Sequence, residues 1–176
     1  VEMEDAAKAA GINGFINKPM FKSTIYEKIN EYLHFTEKNE KTAESSADEL
    51  QGLHLLVAED NDLNAEIAIE LLAEQKIIAD RAMDGADCLD KLEKAASGYY
   101  DMILMDIQMP VMDGYDATVR IRRMKDEKKA SIPIIAMTAN AFAEDRQKAI
   151  SVGMNDHVAK PIDMKVLLPV MAKYIR

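Results

Sequence analysis

The sequence predicts a doubly wound α/β domain, a five-stranded parallel sheet with helices on both faces, and three observations carry that prediction. Short apolar runs and helix-period segments alternate five times between residues 51 and 176. A composition of 48% hydrophobic and 30% charged residues over 176 positions suits a globular chain able to build a core. No apolar run approaches the ~20 residues that a membrane span needs. A strand, a crossover and a parallel strand in one sheet connect right-handed, which lays each crossover helix against a sheet face.

The elements follow in order. Residues 53–58 form a short apolar strand, and residues 61–75 place apolar side chains at 63, 67, 68, 71 and 72, the spacing of a helix. The pair recurs as 77–82 with 85–96, as 100–105 with 114–125, as 132–137 with 144–152, and as 157–159 with 164–175. On a wheel of about 100° per residue, Leu63, Ile67, Leu71 and Leu72 are expected to face the sheet, and Ala65, Ile69 and Ala73 to form an outward strip. Residues 34–50 are polar, without apolar periodicity, and are expected to be a flexible linker ahead of a complete domain at 51–176. Sliding the sequence so that Lys18 lies on Lys160 sets residues 11–19 over 153–161, with Gly, Asn, Lys and Pro coinciding. Residues 1–33 therefore read as the last third of a second copy. Without its other strands such a piece is expected to pack on the complete domain, swap between chains or stay partly mobile. Beginning at Val1 inside a helical pattern, the chain is expected to be cut from a longer one.

Charge and cysteine usage exclude several function classes. Asp and Glu number 31 against 22 Lys and Arg, a formal charge of −9 with no basic run, so a nucleic-acid footprint is not expected. Cys88 is the single cysteine, which rules out a disulfide framework and a cysteine-based zinc site and points to a reducing, cytoplasmic setting. The 12 methionines are scattered among strands and helices and read as core filler.

In open parallel sheets ligands bind beyond the carboxyl ends of the strands. Here the first strand runs into Glu59 and Asp60, the third ends at Asp106, the fourth at Thr138 and the fifth at Lys160 and Pro161. Each alone has an ordinary reading: Asp60 as a helix cap, Thr138 as a strand-end hydroxyl, Lys160 as a surface charge. Together at four strand ends they describe a site. Three converging carboxylates repel one another unless a cation joins them, and an all-oxygen set suits Mg²⁺. A hydroxyl and an ammonium beside them complete a space suited to an aspartyl phosphate.

Residues 57–61 (VAEDN), 104–114 (LMDIQMPVMDG), 134–139 (IIAMTA) and 158–161 (VAKP) resemble the receiver, or response regulator, domain of two-component signalling, most closely the receivers of hybrid histidine kinases. The resemblance covers residues 51–176 and implies the flavodoxin-like (βα)5 fold with strand order 2-1-3-4-5. Residues 1–33 resemble the end of a second receiver. Carried onto this sequence, the resemblance makes Asp106 the phosphoacceptor, taking a phosphoryl group from a phosphohistidine on a histidine kinase or a histidine-phosphotransfer domain. It implies Mg²⁺ held by Asp60, Asp106 and the backbone carbonyl of Gln108, with Glu59 acting through water. Thr138 and Lys160 would contact the phosphoryl group, and the Lys160–Pro161 peptide is expected to be cis. His157 occupies a switch position where the family more often has Tyr or Phe, which suits a relay. The partner is expected to dock on the first helix across Ala65, Ile69 and Ala73 and near Pro161. The domain is expected to touch no membrane even where a parent kinase is anchored in one. Two other readings stand beside this: a Mg²⁺-dependent aspartyl-nucleophile phosphatase, which would need an acid where Gln108 stands, and a receiver that only binds partners.

Overall fold

The computed structural model describes residues 46–139 and 143–175, with residue 143 as backbone only. The chain divides into two units between Glu40 and Lys41, and all described residues belong to the second. The second-copy reading of residues 1–33 and the linker reading of 34–45 lie outside the described residues.

From His54 onward five strands and six helices follow: β1 (His54–Ala58), α1 (Asp62–Glu74), β2 (Ile78–Ala82), α2 (Gly85–Lys94), β3 (Met102–Asp106), α3 (Gly114–Arg122), α4 (Glu127–Ala130), β4 (Ile134–Thr138), α5 (Ala143–Val152), β5 (Asp156–Ala159) and α6 (Met164–Ala172). The strands pair in parallel in the order β2-β1-β3-β4-β5, as the resemblance implies. All five strand–helix pairs are present. The single turn α4 was not foreseen, because four residues are too few to show a period. The Asp126 carboxylate holds it together by accepting from the backbone N–H groups of Lys128 and Lys129.

Why the chain turns so tightly from strand to helix is visible in the caps. Asn61, Asp84, Asp113 and Asp163 each accept a hydrogen bond from an N–H in the first turn of the helix that follows. Each cap stabilises its helix by about 1 kcal/mol. These four helices thus begin three to eight positions after the carboxyl ends of the strands before them.

The core lies in two layers, one on each sheet face. Leu56 and Ala58 of β1 join Ile103, Met105, Ile121 and Leu92 under α2 and α3. Leu55 and Val57 point the other way, to Leu72, Leu104, Leu167 and Met171 under α1 and α6. That alternation is the two-residue period of a strand buried on both faces. Each of these large apolar side chains contributes roughly 1.5–3 kcal/mol on burial.

Two expectations need correction. Residues 46–50 are helical, and Leu50 is fully buried with Ala47 packed against the same layer, so the linker cannot extend to residue 50. A polar stretch hid two apolar residues three apart, which is enough to anchor one helical turn. The second correction concerns α1. Ala65, Ala68 and Leu72 are buried against the sheet, whereas Leu63 and Ile67 are 64% and 45% exposed. Ala65 therefore cannot belong to a docking strip; Ile69 is half-buried, and Ala73 and Pro161 are exposed. The wheel was phased by bulk, but small side chains let a helix lie close to the sheet, and closeness won.

Gly114, at the start of α3, is required by proximity. A Cβ there would collide with the carbonyl oxygen of Asp106 and lie 2.9 Å from Met105 Cγ. Gly114→Ala is expected to lower stability by about 1–3 kcal/mol, the usual range for overpacking, and to displace the end of β3. Urea unfolding checks the first effect and metal binding the second.

Candidate functional site

Register brings the site residues level. In the parallel ladder Ala58 lies opposite Met105, Asp106 opposite Met137, and Thr138 opposite Ala159. The residues at or just after these positions, Glu59, Asp60, Asp106, Thr138 and Lys160, consequently meet at one edge, around a cavity of about 480 Å³ that Gln108 also lines. The Lys160 N–H adds a bond of 2.7 Å to the carbonyl of Thr138, fixing the start of its loop, and the Lys160–Pro161 peptide is cis as expected.

At the centre, the Lys160 ammonium bridges two buried carboxylates, 2.7 Å from Glu59 Oε2 and 2.7 Å from Asp106 Oδ2. Glu59 and Asp106 are only 2% and 4% exposed. Their remaining oxygens are also engaged: Asp106 Oδ1 accepts from the backbone N–H of Gln108 at 3.2 Å, and Glu59 Oε1 from that of Asn61 at 3.1 Å. Burial pushes the Asp106 carboxyl above its usual value, against the pull of Lys160 and with a smaller push from Glu59. Burial draws the Lys160 ammonium down, but the two carboxylates outweigh it and leave the lysine above its usual value.

Asp60 differs from both. Its side chain is exposed, and no described residue forms an ion pair with it. Oxygens of Glu59, Asp60 and Asp106 lie within 4.8 Å of one another, three formal negative charges against one ammonium. Such an oxygen-only set, one member of it open to solvent, fits a hard divalent cation that keeps much of its water.

The Thr138 hydroxyl is buried without a partner, as is that of Tyr115, which lines the same cavity. Tyr115 was missed because an aromatic residue in the first turn of a helix has no pattern to set it apart. Arg81 was missed too. Its guanidinium donates to the carbonyls of Glu59 and Asp60 at 3.1 Å and pairs with Asp62 at 2.7 Å, so it holds the acidic turn in shape from the neighbouring strand. His157 does not line the cavity. It is half-buried on β5 beside Asp156, with Nδ1 3.5 Å from Oδ1, and burial, aided by Arg146, pulls its imidazole below the usual value against Asp156.

Residues 55–172 match the family model of the response regulator receiver domain. The chain belongs to the response regulator receiver family. This receiver is 41% identical over 147 residues to hybrid signal transduction histidine kinase B of Dictyostelium discoideum, covering 78% of the chain and 7% of that protein. It is 34% identical over 133 residues to the sensor histidine kinase RcsC of Salmonella typhimurium, covering 76% of the chain and 13% of that protein. The chain thus spans a small part of the length of the curated relatives it matches. Among solved structures it resembles the receiver domain of the sensor histidine kinase PA1611 from Pseudomonas aeruginosa, which has a magnesium ion coordinated in its active-site cleft. That match has 35% identity and a TM-score of 0.62, and covers 70% of this chain and 97% of that one. A second likeness is to a co-crystal structure of the Saccharomyces cerevisiae histidine phosphotransfer protein Ypd1 with the receiver domain of its downstream regulator Ssk1. There the identity is 27%, the TM-score 0.62, and the coverage 71% of this chain and 90% of that one. No helix among the described residues is long and apolar enough to cross a membrane.

Proposed function

We propose that Asp106 accepts a phosphoryl group from a phosphohistidine of a histidine kinase or histidine-phosphotransfer domain. The observation that carries this reading is the ammonium of Lys160 between Glu59 and Asp106, with the Thr138 hydroxyl buried and unpartnered beside them. An Asp106 oxygen attacks phosphorus, the phosphorus–nitrogen bond to the donor imidazole breaks, and that imidazole leaves with its electron pair and takes a proton. The carboxylate is already ionised at neutral pH, so no general base is called for. Lys160 and Thr138 then contact the phosphoryl oxygens, the former by charge and the latter as a donor.

Mg²⁺, when bound, would neutralise charge developing on those oxygens. Asp60, Asp106 and the carbonyl of Gln108 would hold it, with Glu59 reaching it through water. The magnesium-containing relative from Pseudomonas aeruginosa supports this, as does the donor set. Because Glu59 is committed to Lys160 and Asn61 while Asp60 is open, Asp60→Ala is expected to weaken Mg²⁺ binding several-fold more than Glu59→Ala. A metal titration of both variants checks this, and equal losses would overturn the assignment of direct and indirect roles.

The partner surface we assign is the apolar ridge of α1 formed by Leu63 and Ile67, in place of the strip through Ala65. The likeness of residues 11–19 to 153–161 supports residues 1–33 as the end of a second receiver in a hybrid kinase. The phosphatase alternative lacks its acid, since the Gln108 amide is far too weak an acid to protonate a leaving group. Incubation with a small phosphodonor and Mg²⁺, followed by intact mass, tests the main reading: a gain of one phosphoryl group is expected, and no gain overturns it.

A further inference from the structure

Among the described residues only two buried side-chain polar atoms lack a hydrogen-bond partner, the hydroxyls of Thr138 and Tyr115, and both residues line the cavity over Asp106. A buried, unpartnered hydroxyl destabilises the state that contains it, and native proteins retain few of them. For Thr138 the phosphoacceptor reading supplies the reason. Tyr115 has no role in that mechanism, yet its orphaned oxygen calls for one.

Its position is well defined. Tyr115 is the second residue of α3, directly after Gly114, whose missing Cβ lets the helix start press against the Asp106 backbone. The ring is partly exposed and the oxygen is not. From α5, the Lys148 ammonium sits 4.4 Å from the ring centroid, pinning the side chain over one face. Burial, then the nearby carboxylates of Asp145 and Asp113, push the hydroxyl above its usual value, so it keeps its proton and stays a donor. Neither carboxylate accepts from it. The resting protein thus holds a donor with nothing to donate to, on a residue that lines the cavity a phosphoryl group would enter.

We propose that Tyr115 is a further positioning residue of the phosphoryl site, its hydroxyl unpartnered at rest and taken up by the oxygens that a phosphoryl group and its ordered water bring into the cavity. This rests on the phosphoacceptor reading and adds a third side-chain donor to Lys160 and Thr138. A tyrosine kept only for packing would use its ring and gain nothing from the oxygen. The two explanations part at one substitution, Tyr115→Phe, where only a role for the hydroxyl costs affinity in the loaded state. If the hydroxyl serves the phosphorylated state, its removal relieves the resting fold while weakening the loaded one.

The test titrates the full chain with beryllofluoride, a stable phosphoryl mimic, in the presence of Mg²⁺, and records the melting temperature without the mimic. Tyr115→Phe is expected to melt no lower than wild type at rest and to bind beryllofluoride about tenfold more weakly, the loss of one hydrogen bond to a charged group. Tyr115→Met, which lacks both ring and hydroxyl, is expected to show a similar loss of affinity. Affinity within about twofold of wild type for the Phe variant would overturn the proposal. So would a lower resting melting temperature for that variant, which would mean that the hydroxyl already has a partner, or a loss seen with Met alone, which would assign the effect to the ring. Wild-type protein that binds no beryllofluoride would overturn the phosphoacceptor reading and this proposal with it, an outcome distinct from equal binding by wild type and variant.

Discussion

Asp106→Asn is expected to abolish the phosphoryl mass gain and, with metal absent, to raise the melting temperature at neutral pH. The first effect follows from chemistry, because an amide oxygen is too weak a nucleophile to form the acyl phosphate. Asp106 is the carboxylate that ends a strand with both Thr138 and Lys160 beside it, whereas Asp60 stands at the exposed rim. Label that appears on another residue would overturn the assignment. The second effect follows from burial. The native state holds the Asp106 proton more tightly than the unfolded chain does, because its carboxyl is raised above the usual 3.8. Its contribution to stability is therefore fully present below that usual value and is lost as pH rises through the raised one. At neutral pH the wild type carries a poorly solvated charge that Asn, of the same shape, does not. Lys160 keeps Glu59 as its partner in the variant. The gain in melting temperature is expected to shrink as pH falls towards the ordinary aspartate range, which thermal scans across pH would show. A variant less stable than wild type at neutral pH would mean that the Lys160 pair outweighs desolvation.

Ile67→Lys is expected to slow phosphotransfer from a phosphorylated histidine-phosphotransfer domain by at least about tenfold while leaving labelling by a small phosphodonor within about twofold. Leu63 and Ile67 are one helical turn apart on α1, both outward, with the charged Glu66 and Glu70 exposed beside them. Such a ridge fits an apolar groove between two partner helices, the helix-in-groove mode of recognition. Burying an isoleucine contributes roughly 1.5–3 kcal/mol, and tenfold corresponds to about 1.4 kcal/mol, so replacement by a lysine that must be desolvated suffices. Equal transfer rates for the variant and wild type would refute the ridge as the docking surface. Slower labelling by the small donor as well would place Ile67 in the fold and not in docking.

Much of the site is legible in the sequence because it is written in short segments. Asp106, Thr138 and Lys160 each stand at the end of an apolar run, and a run followed by a helical period can be recognised within about a dozen residues. The α1 face was not legible in the same way. Leu63, Ile67, Leu71 and Leu72 form a plausible apolar stripe, and only the separation between helix and sheet decides that Ala65 and Ala68 turn inward. Leu50 illustrates the converse, a single apolar residue in a charged stretch whose burial depends on a layer built by residues far along the chain.

Strand and helix periods are local and right-handed crossovers leave little freedom, so the five strand–helix pairs, their parallel connection and the acids, hydroxyl and amine at the strand ends can all be read from the chain's order of residues. Tertiary structure alone decided that Lys160 spans Glu59 and Asp106 at once, that Arg81 braces the acidic turn, and that the Tyr115 oxygen is sealed in without a partner. Each of these depends on side chains from different strands and helices meeting within about 3 Å, the reach of a hydrogen bond. Register and packing distance set that meeting, and neither is encoded in any one segment.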